Sequence, residues 1–73
     1  MDMVKIGKHL RQLRGPRTLA EVSNDTGIGI SALGNYEAGL RVPRDDAKVA
    51  LAKYYGLPVG LIFYPDDITE RED

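Results

Sequence analysis

The chain has 73 residues, no cysteine, 42% hydrophobic residues and a formal net charge of −1. A chain of this length buries only roughly 60% of the surface that it exposes when unfolded, so we expect one small domain without room for both a core and a deep pocket. The lack of cysteine excludes a disulfide framework and a zinc site built on thiolates. Because no apolar run approaches the ~20 residues of a membrane span, and because residues 1–15 are too charged for a secretory signal, we expect a soluble cytoplasmic domain.

The first predicted element is an amphipathic helix over about residues 3–14. Ile6, Leu10 and Leu13 recur at helical spacing, and Gly15-Pro16 ends the helix. Its basic side chains fall on the other faces, where we expect them to be hydrated: Lys5, Lys8, Arg11 and Arg14.

A second helix is predicted over about residues 18–25. Thr18 offers an N-cap oxygen and Glu21 follows three residues later, which is the capping-box signal for a helix start. Gly27 then permits the positive φ of a sharp turn, and Ile28 is placed to pack as a wedge between this helix and the next.

The third predicted helix covers about residues 30–38, with Leu33 and Tyr36 three apart as its inward residues. Gly39 is well placed as a left-handed C-terminal cap. A turn between two short helices, of the kind predicted over 25–30, presents the second helix outward so that it can enter a groove.

Two further helices are predicted near the end of the chain. The fourth covers about residues 45–55, with Asp45 or Asp46 as its cap and Gly56 after its end, and Pro58 opens a fifth through residue 63. We therefore predict an all-α domain over residues 1–65 and a flexible acidic tail over 66–73. The aromatic side chains of the last two helices either close the core or leave a patch for a homodimer: Tyr54, Tyr55, Phe63 and Tyr64.

The charges are unevenly distributed along the chain. Residues 1–44 hold seven basic and four acidic side chains, a net charge of +3, whereas residues 45–73 hold three basic and seven acidic ones, a net charge of −4. Because the local field decides whether nucleic acid is attracted, the basic half is compatible with a DNA-binding surface. Arg17, Arg41 and Arg44 flank the third helix and are candidate phosphate contacts, with solvated surface charges as the alternative.

One motif in the middle of the chain is specific. Tyr36-Glu37-Ala38-Gly39 followed by Pro43, with the letters TLAEV at 18–22 and GI at 27–28, resembles the Cro and phage-repressor type of helix-turn-helix domain, often called XRE-like. The similarity covers about residues 6–63. It implies a five-helix, lambda-repressor-like DNA-binding domain, prokaryotic or phage-encoded, with the third helix in the major groove of a double-stranded operator.

The resemblance also implies which residues meet DNA. The positions that face the bases are Gly29, Ile30, Ser31, Ala32 and Asn35. Thr18 and Leu19 open the second helix, where its N-terminal amides would meet a phosphate. The third helix carries no Arg, Lys or Gln, so only Ser31 and Asn35 offer polar base contacts and we expect A·T-rich sequence or DNA shape to supply part of any specificity.

The sequence favours regulation over catalysis. No nucleophile–base pair or metal-ligand cluster stands at a workable spacing, so we expect no enzyme activity, no metal and no cofactor. The first hypothesis is a sequence-specific transcriptional regulator, a small repressor that acts as a homodimer, with a regulatory protein partner as an option. The alternative is a protein-binding module of the same fold, antitoxin-like or anti-repressor, with weak DNA readout, because the outer face of the third helix is uncharged.

Overall fold

The computed structural model describes residues 2–64, which form five α-helices and no strand. The helices are α1 (Met3–Arg14), α2 (Leu19–Thr26), α3 (Ile30–Glu37), α4 (Asp45–Tyr55) and α5 (Val59–Phe63). The predicted all-α, five-helix architecture is confirmed, and no helix end differs from its prediction by more than one residue. The acidic tail predicted at 66–73 lies outside the described residues.

The first two helices begin at side-chain caps. The Asp2 carboxylate accepts hydrogen bonds from the N–H groups of Val4 and Lys5 at 3.0 and 3.2 Å. Thr18 Oγ1 accepts from the Glu21 N–H at 3.1 Å, as the capping signal predicted. Both caps satisfy backbone donors that a helix start leaves unpaired.

The start of α4 differs from the prediction. Arg44 is the N-cap and makes no side-chain capping bond, so neither Asp45 nor Asp46 occupies that position. The two carboxylates lie instead in the first turn, where Asp46 Oδ1 accepts from the Ala47 N–H at 2.9 Å. This placement is also stabilising, because a helix start is the positive end of the helix dipole. Pro58 likewise precedes α5 as its N-cap and is not its first helical residue.

The end of α3 is fixed by backbone hydrogen bonds around a left-handed glycine. Gly39 has φ of 76°, its N–H donates to the Tyr36 carbonyl at 3.2 Å, and the Leu40 N–H donates to the Asn35 carbonyl at 2.9 Å. This is a Schellman motif, which occupies the carbonyls that a helix end leaves free. The chain therefore turns away from α3 in a defined direction.

The core joins all five helices. Its buried apolar side chains are Ile6, Leu10, Val22, Leu33, Tyr36, Leu51, Ala52, Ile62 and Phe63. α1 lies against α3 at Gly7, where an added Cβ would be 2.5 Å from the Glu37 carbonyl oxygen. Only glycine permits so close a crossing.

Lys48 is the one buried charged side chain among residues 2–64, at 7% exposure. Its Nζ donates to the Tyr64 hydroxyl at 2.6 Å and lies 4.9 Å from the centre of the Tyr64 ring. A second aromatic ring, that of Phe63, lies 6.0 Å from the same nitrogen. The hydrogen bond and the aromatic faces both stabilise a buried ammonium group. They also tie Phe63 and Tyr64, at the end of α5, to α4.

Candidate nucleic-acid interface

The turn between α2 and α3 is built by Thr26 and Gly27. Gly27 adopts the left-handed conformation with φ of 79°, and its N–H donates to the Ser23 carbonyl at 2.8 Å. The Thr26 hydroxyl donates to the Val22 carbonyl at 2.7 Å and accepts from the Ile28 N–H at 3.2 Å. Ile28 packs partly buried against the core, as predicted for a wedge. The angle between α2 and α3 is thus set by short local contacts.

α3 is held from its inner side by apolar packing. Leu33 and Tyr36 are 3% and 6% exposed, which confirms both as inward residues and places the Tyr36 ring in the core, away from any base. Ala32 also packs partly buried against the core.

A two-point ion pair holds the end of α3. Arg14 Nε and Nη2 donate to the two carboxylate oxygens of Glu37 at 2.8 and 3.0 Å, and Arg14 Nη1 donates to the Arg17 carbonyl at 2.6 Å. The hydrogen bond to Glu37 raises the pKa of Arg14 further above its ordinary value. Since the two side chains are only 12% and 11% exposed, the pair connects α1, the loop after it and α3 at a mostly dehydrated position.

The outer side of α3 is free. Gly29, Ile30 and Ser31 are exposed, with Ile30 at 51%, and Asn35 is partly buried one turn after Ser31. Residues four apart share a helix face, so the side chains of Ser31 and Asn35 lie together. Within residues 2–64 neither side chain forms a hydrogen bond, and both can therefore accept one from, or donate one to, a partner.

The start of α2 holds the remaining residues that the resemblance assigned to phosphate. Thr18 is exposed and already caps α2, whereas Leu19 is partly buried against the core. The N–H groups of Leu19 and Ala20 belong to the first turn, where backbone donors point out of a helix. Such a start is suited to an anion.

Arg17 lies beside this helix start and is engaged with its own chain. Its Nε donates to the Arg14 carbonyl at 3.1 Å and its Nη2 to the Leu13 carbonyl at 3.0 Å. The guanidinium also lies 5.1 Å from the Tyr54 ring centre and 5.3 Å from that of Tyr55. Arg17 therefore caps the C-terminal end of α1 and joins it to α4.

Arg41 and Arg44 are exposed in the loop between α3 and α4, and their side chains form no hydrogen bond or ion pair with the rest of residues 2–64. Their backbones are held, because the Arg41 N–H donates to the Asn35 carbonyl at 3.3 Å and the Arg44 carbonyl accepts from the Lys48 N–H at 2.9 Å. Both arginines line a shallow groove of about 350 Å³ that separates this loop from the turn at Thr26 and Ile28. The two arginines thus place positive charge beside the turn between α2 and α3.

The arrangement offers a partner hydrogen bonds and positive charge. The described part of the chain shows no group of three or more side chains able to hold a metal ion. No helix in residues 2–64 is long and apolar enough to cross a membrane. His9 is partly exposed and has no polar partner in the same range.

Two features of the site were not predicted from the sequence. Arg14 was expected on the hydrated side of α1, yet it is drawn into the pair with Glu37, a residue 23 positions away. Helical spacing within α1 carries no signal for a contact so far along the chain. For the two hydrogen bonds of the Thr26 hydroxyl, the sequence offered one weak signal. Thr26 stands immediately before the turn glycine, and threonine hydroxyls bond to nearby backbone groups in turns.

Comparison with known proteins identifies the fold. A family model described as a helix-turn-helix domain matches residues 5–62, which include most of α1, all of α2 to α4 and most of α5. No curated protein and no solved structure matches the chain. A domain of this kind is in general a DNA-binding unit of regulators and typically not an enzyme. Because the match covers most of the chain, the protein belongs to the helix-turn-helix domain family, of the Cro and phage-repressor (XRE-like) type.

Proposed function

We propose that this protein is a sequence-specific transcriptional regulator, a small repressor of phage or mobile-element type that acts in the cytoplasm by occupying an operator. The observation that supports it best is the outer side of α3, where the side chains of Ser31 and Asn35 form no hydrogen bond with the rest of residues 2–64, while Arg41 and Arg44 are exposed in the loop that follows. α3 enters the major groove, and α2 lies across the sugar-phosphate backbone.

Base readout rests on few side chains. Asn35 can form two hydrogen bonds with adenine, Ser31 can donate to or accept from either strand, and Ile30 can contact a thymine methyl group. Gly29 and Ala32 contribute backbone and methyl surface beside them. A good two-bond contact discriminates against the wrong base by ~1–3 kcal/mol, so one asparagine gives modest selectivity and A·T-rich sequence or groove shape adds to it.

Phosphate attraction comes from both ends of the helix-turn-helix. Arg41 and Arg44 are free to reach one phosphate each, and the N-terminal amides of α2, which Thr18 and Leu19 open, can receive another. Arg17 adds positive charge near this third phosphate, at the start of α2, while its hydrogen bonds hold the helix start in place. Binding should therefore weaken as salt increases.

A homodimer completes the proposal. Two copies of α3 placed about 34 Å apart, one turn of DNA, would read the two halves of a palindromic operator. The partly buried Tyr54 and Tyr55 and the exposed Val49 and Leu61 provide surface for such a contact.

The test is a selection of duplexes from a random library with the purified protein, followed by fluorescence anisotropy on the selected site and on an unrelated duplex. Ser31→Ala with Asn35→Ala should remove the preference for the selected site but keep general binding. Arg41→Ala and Arg44→Ala should each weaken both duplexes and reduce the salt slope by about 1. Absence of binding to any duplex at low salt would refute the proposal.

A second candidate is a protein-binding module on the same fold, antitoxin-like or anti-repressor. It is favoured by the exposed Ile30 side chain, 51% accessible in the middle of an uncharged surface, since exposed apolar side chains on a functional face also suit protein partners. Under this alternative the double substitution at Ser31 and Asn35 leaves DNA behaviour unchanged and abolishes binding of the protein partner.

A further inference from the structure

α3 carries a glycine, Gly34, in its middle, where glycine is the least favourable residue apart from proline. The helix is only eight residues long, and its N-cap, Gly29, supplies no side-chain hydrogen bond. A short helix with a weak start would gain from almost any other residue at position 34.

The fold of the single chain gives no reason for this glycine. Gly34 is not among the glycines with positive φ, and a Cβ at this position would have Leu19 Cδ1, 3.8 Å away, as its nearest neighbour beyond its own helix. That distance is an ordinary van der Waals contact. Gly7 is the opposite case, because a Cβ there would lie 2.5 Å from a backbone oxygen of Glu37.

The position of Gly34 suggests an external reason. At 100° per residue, Gly34 falls on the side of α3 that faces away from Leu33 and Tyr36, together with Ser31 and Asn35. Gly34 is partly buried beside Leu19, but no other atom of residues 2–64 outside its own helix would lie within 4 Å of a Cβ there. The absent Cβ therefore leaves part of the backbone of α3 accessible next to the surface that we propose to meet DNA.

We infer that Gly34 is a positioning residue for DNA recognition, which lets the backbone of α3 approach the base edges closely. The inference rests on the proposed function. Arg and Gln can reach a base from a more distant helix, but serine and asparagine are short, so Ser31 and Asn35 contact bases only if the helix axis lies deep in the groove. A methyl group at Gly34 would hold the helix away from the DNA by contact with a base or a deoxyribose.

The substitution Gly34→Ala separates this role from a structural one, because the two predict opposite results. We expect the melting temperature to rise by about 2–8 °C, since alanine is the better helix former and its methyl group fits against Leu19. We expect the affinity for the library-selected duplex to fall by about tenfold or more, the effect of losing a two-bond base contact. Binding to an unrelated duplex should change much less.

Asn24→Ala is the matched control, because Asn24 is exposed on α2 and its side chain has no hydrogen bond within the described range. It also raises helix propensity, but it should leave the affinity for the selected duplex unchanged. A lower melting temperature for Gly34→Ala would show that the fold itself needs glycine and would overturn the inference. Unchanged affinity in Gly34→Ala would overturn it while the proposed function stands, whereas failure of the wild type to select any duplex would remove both.

Discussion

The pair between Arg14 and Glu37 allows a quantitative prediction. The Arg14 guanidinium donates three hydrogen bonds of 2.6–3.0 Å, one to the Arg17 carbonyl and two to the Glu37 carboxylate. The change Glu37→Gln keeps the shape of the acceptor but removes its charge. The guanidinium, only 12% exposed as a side chain, then remains at a mostly dehydrated position with a neutral partner.

The expected loss of stability follows from the burial of the pair. Removing one partner of a fully buried ion pair destabilises by ~3–5 kcal/mol. Because the two side chains are still 12% and 11% exposed, water can partly solvate the unpaired guanidinium. We therefore expect Glu37→Gln to lower the free energy of unfolding by about 2–4 kcal/mol. A domain of this size has a total stability of roughly 4–11 kcal/mol. The melting temperature should therefore fall by roughly 10–30 °C.

Thermal and urea unfolding, followed by circular dichroism at neutral pH, measure this loss. The variants needed are Glu37→Gln, Arg14→Met, the double variant and the control Glu21→Gln, which makes the same chemical change at an exposed carboxylate. The control should stay within about 1 kcal/mol of the wild type, because Glu21 lies in the first turn of α2 and its charge contributes only a helix-dipole interaction. The double variant should be less destabilised than the sum of the two single ones, by ~1–3 kcal/mol, because it leaves no unpaired charge. Additive single effects, or a Glu37→Gln variant as stable as the control, would refute the reasoning.

Three further changes test other contacts. Thr18→Ala removes the cap of α2 and should lower the free energy of unfolding by ~1 kcal/mol in urea titrations, with Thr18→Ser close to the wild type. Gly7→Ala places a methyl group against the Glu37 carbonyl and should destabilise by ~1–3 kcal/mol or more; a stable variant with an unchanged melting temperature would contradict the close crossing. Burial, and secondly the Glu37 carboxylate, raise the pKa of Tyr55 above 10.0, so stability should hold below pH 10 and fall as the pH rises through the folded-state pKa. Unfolding titrations at about pH 9 and about pH 11 should show a smaller loss for Tyr55→Phe than for the wild type.

The helices and their glycine turns could be predicted from local sequence alone. Helical spacing of Leu33 and Tyr36, the cap at Thr18 and the positive φ at Gly27 and Gly39 all depend on residues within a few positions of one another. Interactions of that range are encoded in short segments. The resemblance to a known family then supplied the order of the helices in space.

The roles of the basic residues could not be predicted in this way. The spacing within α1 places Arg14 on a polar side, but whether that side meets water or Glu37 depends on how α1 crosses α3. Arg17 has neighbours on both α1 and α4, and the approach of Tyr54 to its guanidinium is likewise a consequence of tertiary packing. At the start of α4, two adjacent aspartates were equally good caps, and the structure has the N-cap one residue earlier, at Arg44, so that the helix begins at Asp45.

The hydrogen bond from Lys48 to Tyr64 bears on where this protein can be shortened. The family similarity ends at residue 62, but the acceptor for the buried ammonium group is supplied two residues later. A chain truncated at the edge of that similarity would leave Lys48 inside with neither the phenol oxygen nor the Phe63 ring beside it. We therefore expect the smallest autonomous unit to extend at least through Tyr64, and a deletion series should lose cooperative unfolding once that tyrosine is removed.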